Sequence, residues 1–262
     1  MSRKLQILSN WVCLILVLVV NLLANILPIN GITTAAVSAK YTNLFVPAGF
    51  TFIIWLPIYV FLIFHTVFSN NILKDKKTAN SNIGILVKKI NPWFRLGCVL
   101  NAGWIFAWHY ELIDLSALLT GGLLISLIAI FYQITWSEKY LSLTYKEHVC
   151  LETPFVFYLS WVNVAFIANV AAMKISQGWK QTGMAPWMIT CLLIGLAALI
   201  ALWISLKFRR PAFAAVAAWA FIGLYVKQAS ADKFVGYAAL ISFGLCLLAG
   251  GIGFWQKRKM FF

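Results

Sequence analysis

Aromatic and amide side chains recur at helical spacing in three stretches of the chain. Trp55 and Tyr59 stand four apart, Asn101, Trp104 and Trp108 three and four apart, and Trp161, Ala165 and Asn169 four and four apart. In a helix these intervals place each set on one face. An aromatic face with an amide beside it can stack on a flat apolar molecule and hold its polar edge, which is the usual make-up of a small-molecule site. The same spacing also serves ordinary aromatic packing between helices, and spacing alone does not choose. Covalent or acid–base chemistry finds little support, so no catalytic residue is assigned. No nucleophile–base pair stands out, and His65 is alone in its stretch; a packed histidine bonded to a neighbouring carbonyl is the expectation for it. Cys13, Cys98, Cys150, Cys191 and Cys246 are dispersed without a C-x-x-C pair, so no zinc or redox motif and no metal ligand is assigned. His109, Glu111 and Asp114 are close enough for an outer cation site, although a solvated helix end explains them as well.

The elements that position these residues follow from hydropathy. Apolar residues make up 62% of the 262 residues and charged ones only 11%, where a soluble domain carries about a quarter charged. The apolar residues fall in blocks of about 20, the length that crosses ~30 Å of hydrocarbon as a helix. Eight blocks are read, at 8–27, 48–68, 92–110, 115–136, 154–173, 187–208, 211–226 and 234–255. The expected fold class is therefore an all-α polytopic membrane protein with about eight transmembrane helices. The first block resembles a signal peptide, but its length and the distance to a small-residue site favour a retained helix. The polar stretch 70–89 is read as a loop connecting the second and third helices. No Asp, Glu, Lys or Arg lies near the centre of a block, which argues against proton pumps, ion-coupled carriers and retinal proteins. Asn21, Asn25 and Gln133 are assigned to hydrogen bonds between helices.

The net charge of +14 is a topology signal. With a cytoplasmic N-terminus and eight crossings, five of the 21 Lys and Arg residues lie outside, at Lys40, Lys174, Lys180, Lys227 and Lys233, and the other sixteen inside. That asymmetry obeys the positive-inside rule. Both termini are expected to be cytoplasmic, the lipid bilayer is the expected partner of the basic charge, and nucleic acid is not.

Three motifs carry a resemblance. "PAGFTFIIWLPIY", with Pro47, Ala48, Gly49, Trp55 and Tyr59, resembles the second-helix signature of the translocator-protein family, TspO/MBR, also called tryptophan-rich sensory proteins. "LNAGW", with Asn101 and Trp104, resembles that family's third-helix motif. "YLSWVNVAFIAN", matched at Tyr158, Trp161, Ala165 and Asn169, resembles its fifth-helix motif. The family proline before the helix-two tryptophan is replaced by Ile53, and the one before the helix-five tyrosine is displaced to Pro154.

The resemblance implies a five-helix bundle over 1–173, with 174–262 an additional three-helix membrane segment; because that segment holds few polar residues and its aromatics lie mostly near helix ends, it is not expected to line the site. It implies an intramembrane ligand site formed by Trp55, Tyr59, Asn101, Trp104, Trp161, Ala165 and Asn169. The ligand would be planar and apolar, tetrapyrrole- or sterol-like, with a porphyrin or haem-like molecule as ligand and no obligatory cofactor. The implied function is that of a membrane-bound sensor or binding protein, placed in a bacterial inner (plasma) membrane. A translocator of an apolar small molecule is the alternative, and an enzyme of porphyrin breakdown a third. Members of the family are often dimers, so a homodimer is a further implication unless the added helices cover that interface. Within this reading Pro47 begins helix two, Gly49 admits a close neighbour, and Pro57 bends the helix near Trp55 and Tyr59.

Overall fold

A computed structural model describes residues 2–27, 29–41, 43–178 and 183–258. The side chains of Asn25 and Arg258, and all of Lys180 and Lys259, lie outside the described residues. Each of the eight apolar blocks forms a helix: α1 Arg3–Ile26, α2 Trp55–Lys74, α3 Asn82–His109, α4 Ile113–Ser137, α5 Thr153–Ser176, α6 Pro186–Lys207, α7 Pro211–Gln228 and α8 Lys233–Arg258. Among the described residues no strand occurs, and the chain is an all-α polytopic membrane protein.

By length and hydropathy, six of these segments are long and apolar enough to cross a membrane; α3 and α7 are the two that fall short. Both are interior helices, and a helix that faces protein has less need of a lipid-compatible surface. α3 packs against α1, α2 and α4 and buries Asn91, Asn101 and His109 along with its apolar side chains. α7 packs against α6 and α8 and buries Ala214, Ala217, Ala218 and Ala220. Small side chains let helix backbones approach closely, which accounts for the alanines of the 211–226 block. Large apolar side chains such as Leu118 on α4 and Leu199 on α6 are instead exposed, as lipid-facing residues must be.

The helices divide into two compact units, one of residues 1–34 and 55–159, the other of 35–54 and 160–262. The expected division at 173 falls at one point in the sequence; these packing units interleave along the chain, and α5 belongs to both. In the first unit, α1 starts at Ser2, whose hydroxyl accepts from the Leu5 N–H. The expected 70–89 loop is a correction: it is largely helical. Asp75 caps a short helix, Lys76–Ala79, by accepting from the Thr78 N–H at 2.8 Å. Ser81 then caps α3, which starts about ten residues earlier than its apolar block because Leu86, Val87 and Ile90 bury one face of the polar stretch. Pro92 consequently sits inside α3.

In the second unit, residues Gly49–Ile54 form a 3-10 turn, and the α-helical part begins only at Trp55. This bears on three expectations. Pro47 does not open α2, and Pro57 falls in the first turn of its α-helical part, where a missing N–H costs no α-helical bond. Gly49 is not required for close approach either, since a Cβ would meet only the Ala35 side chain at 3.9 Å. The close approach is at Gly223 on α7, whose carbonyl accepts from the Ala48 N–H at 3.0 Å and where a Cβ would collide with the Thr51 side chain.

Candidate functional site

The first unit gathers four of the expected site residues around one further side chain. On α2, Trp55 and Tyr59 stack with ring centroids 5.6 Å apart and planes 13° apart. Trp55 also lies 5.9 Å from Trp104 of α3 and meets Tyr158 of α5 edge-on at 5.7 Å. Trp104 stacks in turn on Trp108 at 6.2 Å and 22°. The helical intervals therefore do what the spacing implied: α2 and α3 each present one aromatic face, and the faces meet. Trp108 is anchored by its indole N–H, which donates to the Thr34 carbonyl at 3.1 Å.

The polar groups in this aromatic cluster are unevenly satisfied. Asn101 is fully buried, and its carbonyl oxygen accepts from Asn21 Nδ2 of α1 at 2.7 Å. Asn21 thus makes the expected bond between helices. The other end of the Asn101 amide, Nδ2, has no hydrogen-bond partner, nor do the buried hydroxyls of Tyr59 and Tyr158. Asn101 lies close enough to both hydroxyls to act on each as a hydrogen-bonding group, but not at a distance and angle that complete the bond. Three polar atoms with spare capacity thus share one apolar, aromatic-walled neighbourhood. A buried polar atom without a partner costs ~1–3 kcal/mol, so such a cluster calls for an explanation.

The other three expected residues belong to the second unit. Trp161 is buried and meets Phe52 edge-on at 5.9 Å and 81°. Asn169 is buried and donates from Nδ2 to the Ala165 carbonyl of its own helix at 3.2 Å. Ala165 itself is half-buried. Nearby, Ser160 Oγ donates to the Phe213 carbonyl at 2.7 Å, fixing α5 to α7.

Tyr158 is the contributor that spacing did not nominate. It lies three residues from Trp161 and within the same quoted motif, yet a single tyrosine in an apolar run carries no periodic signal of its own. The histidines have clear assignments. His65 is fully buried between Phe94 and Phe155; its Nδ1 pairs with the Cys150 carbonyl at 3.2 Å and its Nε2 with Ser69 Oγ at 3.3 Å. That is the packed histidine expected from the sequence. His109 is not a solvated helix end, nor does it face Glu111 and Asp114 as an outer cation ligand. It is fully buried, with Nδ1 on the Ile29 carbonyl and Nε2 on Thr34 Oγ1, each at 3.0 Å. Glu111, two residues on, turns the chain with a left-handed φ of 57°.

Comparison with curated proteins and with solved structures returned no match. The family model described as TSPO-like protein matches residues 6–252. The match runs through α6 and α7 and most of α8, so the later helices lie inside the matched region together with the aromatic cluster. The chain therefore belongs to the TSPO-like protein family.

Proposed function

We propose that this membrane protein binds a planar, apolar small molecule with a polar edge, tetrapyrrole- or sterol-like, at the aromatic cluster of its first unit. The observation that carries the reading is the set of orphan polar atoms: Tyr59 Oη, Tyr158 Oη and Asn101 Nδ2 beside the rings of Trp55 and Trp104. A ligand's flat body would exchange contacts with the rings, and its polar edge would supply the missing hydrogen-bond partners. The donor set fits a metal-free macrocycle or a sterol better than an axially held haem. His65 and His109 have both ring nitrogens engaged, so neither offers a nitrogen to iron. Purified full-length protein titrated with a panel of porphyrins and sterols, followed by tryptophan fluorescence, tests this. Saturable quenching at micromolar ligand is expected; a flat response across the panel refutes the reading.

The membrane orientation belongs to the same proposal. The sixteen-to-five distribution of Lys and Arg supports an inner (plasma) membrane location with both termini cytoplasmic. Single cysteines placed near residues 3 and 259 of an otherwise cysteine-free chain should resist an impermeant thiol reagent in intact cells and react after lysis. Labelling of either position from outside overturns the topology.

A further inference from the structure

The loop between α4 and α5 brings three side chains together that the ligand reading does not use. Glu138 sits just past the end of α4. His148 and Glu152 bracket a π-turn, His148–Glu152, that leads into α5. His148 Nδ1 lies 2.5 Å from Glu152 Oε2 and 4.0 Å from Glu138 Oε1. One ligand-type atom from each of the three groups falls within 4.8 Å of the others. His148 and Glu152 are buried, at 9% and 3% exposure. A chain with only seven acidic residues has thus placed two of them beside one imidazole, next to a membrane helix.

We infer that Glu138, His148 and Glu152 form a site for a first-row divalent cation, of the Mn²⁺ or Zn²⁺ class. Bond lengths of about 2.0–2.2 Å to nitrogen and carboxylate oxygen put ligand atoms on one ion roughly 3–3.5 Å apart. The separations of 2.5 and 4.0 Å straddle that value. Opening the first and closing the second by side-chain rotation alone produces a three-ligand set, leaving the remaining coordination positions to water. The His148–Glu152 hydrogen bond stands where the metal would, so metal binding would release its hydrogen to solvent. One imidazole with two carboxylates suits borderline and hard divalent ions and disfavours the soft Cu(I), which takes sulfur ligands.

The surrounding chain holds these groups in place. A π-turn adds a residue to the helical circuit and is frequent at functional sites. This one is pinned from outside, because His65 Nδ1 donates to the carbonyl of Cys150 in its middle. Leu151 within it is fully buried. Glu147, the nearest other carboxylate, is committed elsewhere: it accepts from the Thr144 N–H at 2.7 Å and from Thr144 Oγ1 at 2.9 Å in a capping box.

The test uses the full-length protein in detergent, stripped with chelator and desalted, and titrated with Mn²⁺ while free aqueous Mn²⁺ is read by electron paramagnetic resonance. One Mn²⁺ per chain is expected, displaced by Zn²⁺, with a nitrogen hyperfine coupling in the pulsed spectrum. Glu138→Gln and Glu152→Gln should each weaken binding by about ten-fold or more. His148→Gln should remove the nitrogen coupling, and Glu147→Gln should bind as the wild type does. Three results overturn the assignment: no saturable binding of either ion by the wild type, equal weakening by Glu147→Gln and Glu138→Gln, or bound Mn²⁺ without nitrogen coupling. Should Glu152→Gln fail to elute as a single species in gel filtration, Glu138→Gln and the wild-type spectrum decide the matter alone.

Discussion

Gly223→Ala lowers the midpoint of thermal unfolding in detergent by roughly 5 °C, whereas Gly195→Ala and Gly244→Ala leave it unchanged or raise it. All three glycines lie inside helices, so an Ala there gains ~0.5–1 kcal/mol of backbone preference. The difference is space. A Cβ at Gly195 or Gly244 meets nothing within 4 Å, and one at Gly223 collides with Thr51 Cγ2. Thr51 has nowhere to move: it is fully buried, its hydroxyl donates to the Ala48 carbonyl at 2.6 Å, and its own carbonyl accepts from Trp219 Nε1 at 3.0 Å. Overpacking of this kind costs ~1–3 kcal/mol, and each kcal/mol shifts the midpoint of a chain this size by roughly 2–4 °C. The cause is checked with a second change. Thr51→Ser deletes the colliding methyl and keeps the hydroxyl, so in the Gly223→Ala background it should restore most of the loss. If it restores nothing, steric overlap is not the reason for glycine at 223.

This contact also marks the limit of what the sequence could disclose. Six of the eight helices were legible because a membrane crossing needs ~20 apolar residues in a row, and that signal survives without any tertiary context. The faces carrying Trp55 and Tyr59, and Asn101, Trp104 and Trp108, were legible because 3.6-residue periodicity is local. What was illegible depends on a partner distant in the chain. Nothing near Pro57 says that the chain before it is a 3-10 turn packed on α7, so the proline read as a bend rather than a first-turn residue. The 70–89 stretch read as a loop because its polar residues outnumber the few apolar ones that α3 buries. His109 read as exposed because its neighbours Glu111 and Asp114 are charged, while the groups that hold it, Thr34 and the Ile29 carbonyl, lie about 75–80 residues away. His148 and Glu152 are four apart and legible as a pair, but Glu138 reaches them only through closure of the intervening loop.

Tyr158→Phe and Tyr59→Phe should weaken binding of a planar ligand with a polar edge by ~3–10-fold each while leaving thermal stability equal or higher. These opposed signs follow from the state of the two hydroxyls. Each is buried without a hydrogen-bond partner in the protein, so deleting it removes a desolvation cost and no protein bond. A ligand that bonds to the hydroxyl loses ~0.5–1.5 kcal/mol when it is gone, which is the stated factor in affinity. Trp104→Leu acts differently: it removes one ring from the Trp55 and Trp108 contacts and should cost both affinity, by about ten-fold, and some stability. Trp203→Leu is the control. Its ring is exposed on α6 and meets Phe208 and Lys207, so affinity should not change. A packing role alone predicts a different table of results, in which affinity tracks stability across all four variants. Stable tyrosine variants that bind as tightly as the wild type would remove the orphan hydroxyls from the argument, and with them the proposed ligand site. Loss of affinity without loss of stability at Tyr59 and Tyr158 is the outcome that packing cannot produce, because a residue that serves only to fill space gains nothing from a hydroxyl it leaves unbonded.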